Sequence, residues 1–282
     1  MTKAEIGSKT AKGGFANEKV ICEKFNNWQD DIKAREWLGI MGYDVKALNS
    51  VRAIQIPVRI KKSDIGKYGV SEEEYSQFVR FHKADAQISI VIKIGEIVKI
   101  EYISLKKANL SANFNQIDKR SVDNYQEMWK FDDEVVFWLK LFTGEIIPRD
   151  CKPQLGKINL RDKRRLFLDE MPEEIQKKVI AFFEENRILV MGDIIKGRGG
   201  LSAGWMLVTR KNLDNMTTDW ILKDINTVMN FFGKGEVCIT KRGSLKIGKV
   251  TLQRKGGTPD PTKMQFKFKP CQLFELEVIN GN

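Results

Sequence analysis

The feature that most constrains the fold is a pair of neighbouring apolar segments joined by a short turn. Between Gln87 and Ile94 every second residue is isoleucine, and Gly95-Glu96 separates this run from a second one, Ile97 to Lys106. Strict alternation is typical of a strand with one buried face. The sequence therefore predicts two paired strands, and the rest of the fold has to cover the isoleucine face of the sheet that contains them.

Helical spacing surrounds these strands. Apolar residues from Phe15 to Trp28 recur three, four or seven positions apart, which predicts an amphipathic helix. We further expect a helix over Asp31–Met41, a strand over Ser50–Ile60, a loop over Lys61–Val70 and a short helix over Ser71–Phe81.

The second half of the chain predicts a mixture of elements. The helices are expected at Asp118–Leu141 (with 135–142 also compatible with a strand), Pro172–Glu185 and Asp219–Phe232. The strands are expected at Arg187–Ile195, Trp205–Arg210, Glu236–Thr240, Lys246–Arg254 and Met264–Phe268. This mixture of helices and strands predicts an α/β or α+β chain. Because a basic, proline-containing stretch begins at Pro148, we predict two domains, 1–147 and 148–282.

The charge of the chain favours a polyanionic partner. The formal net charge is +11, with an estimated pI of about 9.4. Nucleic acid is the usual partner of such a surplus. No apolar run is long enough to span a membrane and the first residues do not form a signal peptide, so we expect no membrane partner and a cytoplasmic location.

Cysteine and histidine usage limits the available chemistry. No two of the four cysteines lie closer than 33 residues, and His82 is the single histidine. This pattern excludes a zinc cluster and a histidine base, and it favours cysteines that serve only in packing. Catalysis would have to use carboxylates and lysines.

The two predicted strands carry such a set. Asp85 precedes the first strand, and Ser104-Leu105-Lys106 ends the second, eighteen residues later. Hydrolysis of a phosphodiester with Mg²⁺ needs oxygen ligands for the ion and a cation that stabilises developing charge. Asp85, Ser104 and Lys106 are therefore the catalytic candidates in a pattern of the PD-(D/E)XK nuclease kind, and Asp85 and the Leu105 carbonyl are the metal candidates.

Three other acidic residues, Glu101, Glu18 and Asp64, are alternatives for this site. Glu101 falls on the opposite strand face from Lys106. Glu18 lies on the apolar stripe of the first helix, where a carboxylate without a partner is costly. A bound cation or Lys106 would explain its position there, so Glu18 is a further metal candidate. Asp64, in Lys62-Ser63-Asp64-Ile65, resembles the same element but leads into a glycine-containing loop, so we prefer Asp85.

Most of the excess charge lies near the C-terminus. Residues 234–269 contain ten basic and two acidic residues, interrupted by glycines whose backbone can approach DNA. A solvated basic face is the alternative. The residues with suitable chemistry for phosphates or base edges are Asn115, Gln116, Lys119, Arg198, Gln253, Arg254, Lys255, Lys263, Gln265 and Lys267. Arg198, within Gly197-Arg198-Gly199-Gly200, could equally belong to an ordinary turn.

Several uninterrupted stretches resemble the HinP-type type II restriction endonucleases and, more distantly, the MspI-type enzymes. They include Gly7-Ser8-Lys9-Thr10-Ala11-Lys12, Phe114-Asn115-Gln116-Ile117-Asp118-Lys119, Tyr125-Gln126-Glu127-Met128-Trp129-Lys130, and Gln253-Arg254-Lys255-Gly256-Gly257. The resemblance implies a PD-(D/E)XK core, in which a mixed sheet is flanked by helices, and a strand-rich C-terminal DNA-recognition lobe.

The resemblance also bears on the site. It implies an Asp, an eighteen-residue gap and a Gln-x-Lys, so Ser104 stands where the family has glutamine, and Gln265 with Lys267 are the best base-reading pair. About twenty extra residues, 64–82, precede the catalytic strand. A neutral surface insertion is the simplest interpretation, because such insertions cost little stability; contact with flanking DNA or with protein stays open.

The resulting hypothesis is a Mg²⁺-dependent endonuclease that cuts double-stranded DNA at a short GC-rich palindrome, GCGC by resemblance. Its functional partner would be a cognate DNA methyltransferase, and the enzyme would be a monomer or weak homodimer. A DNA-repair nuclease of the same superfamily and a non-catalytic DNA-binding protein are the alternatives.

Overall fold

The computed structural model describes residues 16–57, 60–78, 87–108, 114–151, 155, 158, 160–211, 217–255 and 262–279. By internal contacts the chain divides into two compact units. The first-sheet unit comprises the described residues within Glu5–Asn115, Gly192–Asn230 and Lys269–Asn282. The second-sheet unit comprises those within Gln116–Met191 and Phe231–Phe268.

These units do not follow the predicted division at residue 147. Each unit takes segments from both halves of the chain, because the chain leaves the first sheet after Ala108 and returns to it at Trp205. A boundary drawn from composition assumes contiguous domains, whereas each compact unit of the structure is discontinuous in sequence. The assignment of one unit to catalysis and the other to DNA recognition remains a proposal.

The first sheet contains five strands in the order β1-β2-β3-β5-β6. The strands are β1 (Ser50–Ile56), β2 (Gln87–Ile94), β3 (Ile97–Ala108), β5 (Trp205–Lys211) and β6 (Thr218–Asp224). The pairing of β3 with β5 is parallel and the other three pairings are antiparallel. The predicted β2–β3 hairpin is confirmed, and it lies in the middle of a mixed sheet.

One face of this sheet packs against two helices, α1 (residues 16–26) and α2 (Ile32–Ile40). Ile88, Ile90 and Ile92 of β2 are fully buried there, together with Phe25 and Trp37 of the helices. The predicted isoleucine face is thus confirmed as the core face. Burying a side chain of this size contributes roughly 1.5–3 kcal/mol to folding, so the alternation fixes which face of β2 carries polar residues.

The extra segment has a small core of its own. It forms a 3-10 helix at Lys62–Tyr68, where we expected a loop, and α3 at Glu72–Phe78. Gly69 ends the 3-10 helix with φ 68°, a left-handed conformation that favours glycine. The buried cluster joins Ile65 and Val70 to Ile56 and Leu201, with Tyr102 of β3 packed against it. The segment therefore covers part of the first sheet, opposite the isoleucine face.

The second sheet also contains five strands, in the order β4-β10-β9-β8-β7. They are β4 (Asn115–Arg120), β7 (Val237–Ile239), β8 (Leu245–Ile247), β9 (Val250–Arg254) and β10 (Met264–Phe268). The helices of this unit are α4 (Val122–Trp129), α5 (Asp133–Thr143), α6 (Glu173–Glu185) and α7 (Arg187–Met191). Two further α-helices among the described residues are α8 (Ile225–Gly233) and α9 (Glu275–Ile279). The strand-rich C-terminal region is confirmed.

The core of the second-sheet unit is aromatic. Phe266 of β10 lies with its ring centroid 5.4 Å from that of Tyr125, 5.7 Å from Trp129 and 6.4 Å from Phe183. Edge-to-face contacts of this kind add to the gain from burial alone. They hold β10 against α4 and α6, so the other face of the sheet is positioned rigidly.

The long helix predicted at Asp118–Leu141 is wrong. The segment forms the end of β4, then α4 and α5. Ser121 and Asp132 both act as N-caps: their side chains accept hydrogen bonds from the backbone N–H groups of Asn124 and Val135, respectively. Two N-caps, with Lys130 in the left-handed region at φ 58°, end one helix and begin the next. Residues 135–142 are helical.

Two further assignments were exchanged between strand and helix. Arg187–Ile195 is not a strand: α7 continues into a π-helical turn, Gly192–Lys196. Asp219–Phe232 is not one helix: β6 ends at Asp224, whose carboxylate accepts the N–H groups of Asn226 and Thr227 and so begins α8. Short apolar runs fit both the helical period and the strand period. At Asp219–Asp224, pairing with β5 selects the strand.

The strand predicted at Lys246–Arg254 is split. Gly248, at φ 57°, turns the chain between β8 and β9 so that they pair as a hairpin. Within the described ranges, no helix is both long and apolar enough to cross a membrane.

Candidate active site

Two of the three catalytic candidates, Ser104 and Lys106, lie near one end of the β2–β3 pair. Asp85 falls outside the described residues, and the described part of β2 begins two positions later, at Gln87. Ser104 and Lys106 lie in β3, where they are in register with Met206 and Val208 of β5. Their separation of two residues places both on the same face of the sheet, as the alternation predicted.

Both side chains are buried. Ser104 is 1% exposed and Lys106 is 6% exposed. Gln87, directly opposite Ser104 in the register, is 2% exposed. A buried lysine is expensive unless it has a function or a partner. The three residues form a polar patch on the face opposite the isoleucine core.

Two oxygen atoms of this patch have no hydrogen-bond partner in the part of the chain that the structure describes. Among the described residues, Ser104 Oγ and Gln87 Oε1 are both buried without a hydrogen-bond partner. A buried polar atom left in this way costs roughly 1–3 kcal/mol, so it needs an explanation. Hydroxyl and amide oxygens coordinate hard divalent cations, and they accept hydrogen bonds from the waters that such ions bind. The donor set therefore fits a divalent metal.

A complete carboxylate cage is not present in the part of the chain that the structure describes. No group of three His, Cys, Asp or Glu side chains that could hold a metal occurs among those residues. The described oxygen donors of the patch are neutral, so a metal site here needs the carboxylate of Asp85. The assignment of Asp85 as metal ligand stays a prediction.

Glu18 is buried as expected from the apolar stripe, with 3% exposure. Gln55 of β1 donates a hydrogen bond of 3.3 Å from Nε2 to Glu18 Oε2. Gln55 is in register with Ile88, on the face that packs against α1, whereas Ser104 points to the other face. The burial of Glu18 is thus accounted for in part by a protein partner, and its role as a metal ligand remains a prediction.

Leu105 and Glu101 lie on the same face as Ile103. The Leu105 side chain packs in the core with Leu207, so only its backbone carbonyl remains a candidate ligand. Glu101 accepts hydrogen bonds from Tyr43 Oη at 2.6 Å and Trp205 Nε1 at 3.1 Å. Burial and then Glu101 raise the pKa of Tyr43. Glu101 is therefore a structural residue, in agreement with its exclusion from the site.

Asp64 has a different partner. It lies in the 3-10 helix of the extra segment, and its carboxylate is 2.8 Å from the Lys67 ammonium. The hydrogen bond from Lys67 lowers the pKa of Asp64. This surface ion pair explains the charge of Asp64 without a metal.

The nucleic-acid candidates converge on the second sheet. Lys246 is in register with Thr251, Thr251 with Lys267, and Gln253 with Gln265, so these five side chains share one side of the sheet, here called the polar face. The opposite side carries the buried residues Val250, Leu252, Met264, Phe266 and Phe268. The strands therefore sort the basic tail into a core side and a polar side.

Three glutamine amides form a chain at the polar face. Gln253 Nε2 donates to Gln265 Oε1 at 3.4 Å, and Gln265 Nε2 donates to Gln116 Oε1 at 2.6 Å. Gln265 is 3% exposed, whereas Gln116 and Gln253 are partly exposed. Since both amide atoms of Gln265 are engaged, the geometry suits it to orienting its neighbours better than to reading a base. Sequence alternation could place these residues on one face but could not show these bonds.

Lysines gather beside these amides. Burial and then the charge of Lys255 lower the pKa of Lys267. Burial and then the charge of Lys119 lower the pKa of Lys255. Holding like charges together is unfavourable unless an anion joins them. The arrangement is suited to a polyanion.

The remaining DNA candidates are more dispersed. Arg254 is in register with Met264 on the core side, where its guanidinium lies 4.0 Å from Asp162, so it does not join the polar face. Lys263 is exposed, and its carbonyl accepts the N–H of Lys255 at 2.7 Å. Asn115, in the first-sheet unit, donates from Nδ2 to the Lys107 carbonyl at 3.1 Å.

Arg198 is held by a residue that the sequence did not indicate. Its Nε and Nη2 donate to the two carboxylate oxygens of Asp193 at 2.7 and 2.6 Å. Asp193 is buried in the π-helical turn, and Gly197 and Gly199 on either side of Arg198 have positive φ. The pair fixes the loop that precedes Leu201.

This pair leads to a prediction about stability. Replacing Arg198 with alanine should lower the free energy of unfolding by about 1–2 kcal/mol, between the values for exposed and buried pairs, because the Asp193 carboxylate loses a bidentate partner. Thermal or urea unfolding would measure it. In a double-mutant cycle with Asp193→Asn, the two losses should be clearly less than additive; full additivity would show that the ion pair is not the cause.

Comparisons with known proteins agree with this arrangement. The family model described as R.HinP1I restriction endonuclease matches residues 75–274. Among solved structures, the restriction endonuclease MspI in complex with its cognate DNA is similar, with a TM-score of 0.54, 12% sequence identity and coverage of 89% of this chain and 87% of that chain. At this identity the likeness shows the fold alone. No curated protein gives a significant match. The chain belongs to the R.HinP1I restriction endonuclease family and is a type II site-specific deoxyribonuclease.

Proposed function

We propose that this endonuclease makes Mg²⁺-dependent double-strand cuts in DNA at a short GC-rich palindrome, GCGC. The observation that carries the proposal is the burial of Ser104 and Lys106 on one face of β3, where Ser104 Oγ and Gln87 Oε1 have no hydrogen-bond partner among the residues that the structure describes. The solved MspI structure contains cognate DNA, which supports duplex DNA as the substrate.

Each residue of the site has a defined task in this proposal. Asp85 and the Leu105 carbonyl bind the metal, and Glu18 is a further candidate from the helix side. Lys106 orients the attacking water and donates a hydrogen bond to the phosphate oxygen on which negative charge grows. Magnesium, when bound, polarises the phosphate and lowers the pKa of coordinated water.

Recognition is assigned to the second-sheet unit. Gln116 and Gln253 have the amide chemistry for base edges, and Lys255 and Lys267 can donate to guanine O6 and N7. Gln265 orients the two amides through its hydrogen bonds. Lys119, Lys246 and Lys263 of this unit, together with Asn115 of the first-sheet unit, are candidates for phosphate contacts, which supply affinity and salt dependence.

Digestion of a plasmid of known sequence in the presence of Mg²⁺, followed by sequencing of the ends, tests the proposal. Discrete fragments with ends at GCGC are the expected result. Nicking that depends on damage or mismatches would indicate a repair nuclease, and intact DNA would indicate a non-catalytic binding protein. Ends at another sequence would refute the proposed specificity alone.

Two partner assignments accompany the proposal. A restriction enzyme requires a cognate DNA methyltransferase that protects the host genome, so we infer a functional, not a physical, partnership. We also infer a monomer or weak homodimer. Sedimentation of the protein with and without a cognate duplex would measure that state directly.

Ser104 allows a graded test of the metal site. Ser104→Ala should slow cleavage by roughly tenfold, equivalent to about 1.4 kcal/mol, because a neutral hydroxyl contributes one weak contact. Single-turnover cleavage measures the effect, with Asp85→Ala as the comparison. Losses of equal size in the two variants would show that the hydroxyl binds the reacting centre directly and strongly.

A further inference from the structure

Gln87 is a buried polar residue next to the candidate site that the proposed function leaves without a role. It begins the described part of β2, two positions after Asp85, and lies opposite Ser104 in the strand register. In an antiparallel pair, residues opposite each other have their side chains on the same face, with Cβ atoms roughly 4.5–5.5 Å apart. Gln87 and Ser104 are therefore neighbours across the hairpin.

The Gln87 amide is anchored at one end only. Its Nε2 donates a hydrogen bond of 2.5 Å to the carbonyl of Leu201. That bond assigns the nitrogen to the Leu201 side, and it leaves Oε1 buried with no hydrogen-bond partner among the described residues. The Ser104 hydroxyl across the strand is in the same condition.

The chemistry of these two atoms limits what can join them. An amide oxygen is only an acceptor, so its partner must be a cation or a hydrogen-bond donor, and an unprotonated phosphate oxygen is excluded. Lys106 follows Ser104 on the same face, and Asp85 precedes Gln87 in the sequence. A divalent cation, or a water in its coordination shell, satisfies both oxygens.

We propose that Gln87 is a further oxygen donor of the metal site, and that its amide, carried by the strand beside Ser104, supplies the oxygen that the short serine side chain lacks. This inference rests on the proposed metal-dependent function. It accounts for a buried serine at a position where a longer side chain would be expected to reach the metal: the amide oxygen comes from the neighbouring strand.

Mn²⁺ binding followed by electron paramagnetic resonance tests the proposal without relying on cleavage. Gln87→Leu keeps the size of the side chain and removes the amide, and we expect it to weaken Mn²⁺ binding at least tenfold. Gln87→Glu places a carboxylate at the same distance, and we expect it to bind Mn²⁺ more tightly than the wild type. If Gln87 only held the Leu201 carbonyl, Gln87→Glu would lose that bond and gain no affinity.

Two further variants provide the control and the rescue. Within the described ranges Ser89 Oγ is also buried without a hydrogen-bond partner, two positions further along β2 and opposite Tyr102, so Ser89→Ala is matched in burial and should leave Mn²⁺ affinity unchanged. Ser104→Gln in the Gln87→Leu background moves the amide to the other strand and should recover most of the affinity. If Gln87→Leu alone fails to fold, which circular dichroism would detect, Gln87→Glu still tests the proposal.

The outcomes are distinct. Wild-type affinity in a folded Gln87→Leu, no gain in Gln87→Glu, or an equal loss in Ser89→Ala would overturn the assignment of Gln87 and leave the nuclease proposal intact. Failure of the nuclease proposal would instead appear in the wild-type protein, as plasmid DNA that stays intact with Mg²⁺.

Discussion

Replacing Asp85 with alanine should reduce the rate of DNA cleavage by at least roughly 10²- to 10³-fold, the range found when one electrostatic stabiliser of a transition state is removed. Lys106→Met should have an effect of the same order while it preserves the packing of a side chain that is buried. Binding to a cognate duplex should persist in both variants, because these groups act mainly where charge develops in the transition state.

Single-turnover cleavage and fluorescence anisotropy measure the two quantities separately. Lys107 is the next residue in β3 and points to the other face, so Lys107→Met is the matched control for Lys106→Met. Asp64→Ala is the control for Asp85→Ala, since Asp64 is paired with Lys67 at the surface. If Asp64→Ala abolished cleavage and Asp85→Ala did not, the assignment of the site would be wrong.

The centre of the fold could be predicted from the sequence because the alternation in β2 allows only one of its faces to be the buried one. With Ile88, Ile90 and Ile92 buried, Gln87 and Ser89 had to face the other side, and pairing with β3 carried Ser104 and Lys106 to that side as well. A shift of one residue would expose every isoleucine, so the register was fixed by burial. The faces of the site could therefore be predicted without knowledge of the rest of the molecule.

Boundaries that depend on local hydrogen bonds were less predictable. Ser121 and Asp132 lie in a stretch of apolar residues at helical spacing, and their capping role is visible only once the chain has turned. The apolar run at 187–195 fits strand and helix equally, and it has no strand neighbour in the structure to select the extended form. Composition alone contained no information about these choices.

The candidate site was predictable in its residues but not in its partners. Gln265 and Gln116 are 149 positions apart, and Trp205 and Glu101 are 104 apart. Such contacts are set by strand order, which a single sequence does not give. This is why Gln265 was expected to read a base, whereas its amide is engaged on both sides, and why Asp193 was missed as the partner of Arg198.

Variants of Lys267 and Lys246 test which lysines of the polar face contact bases and which contact phosphates. Lys267 is partly buried on β10, where the charge of Lys255 lowers its pKa after burial does, whereas Lys246, two strands away on β8, has a side chain that is 45% exposed and lies 3.8 Å from Glu236. Lys267→Ala should cost roughly 1–3 kcal/mol at the cognate site and much less on random DNA. Lys246→Ala should weaken both alike and reduce the slope of affinity against salt by about one unit.

Lys246 is a better reference for a phosphate contact than Lys249, for a structural reason. Lys249 Nζ lies 3.5 Å from the centre of the Phe231 ring, so its removal would alter packing as well as charge. Titrations of each variant against both duplexes at several salt concentrations give the two ratios. An equal loss on both duplexes for Lys267→Ala would make Lys267 a phosphate contact, and base reading would then fall to Asn115, Gln116 and Lys119.

The pH dependence of binding follows from the same lysine. Burial and then the charge of Lys255 lower the pKa of Lys267 below 10.5, so the folded protein holds this proton less tightly than the unfolded chain does. Between the lowered pKa and 10.5, this group therefore makes the folded protein more stable as pH rises. A DNA acceptor favours the charged form and raises the pKa again, so binding takes up a proton there. The affinity for cognate DNA should therefore fall as pH rises between the lowered pKa of Lys267 and 10.5, the same range in which the folded protein becomes more stable. Lys267→Arg, whose guanidinium stays charged, should flatten that fall; an identical pH profile in Lys267→Arg would show that Lys267 does not titrate on binding.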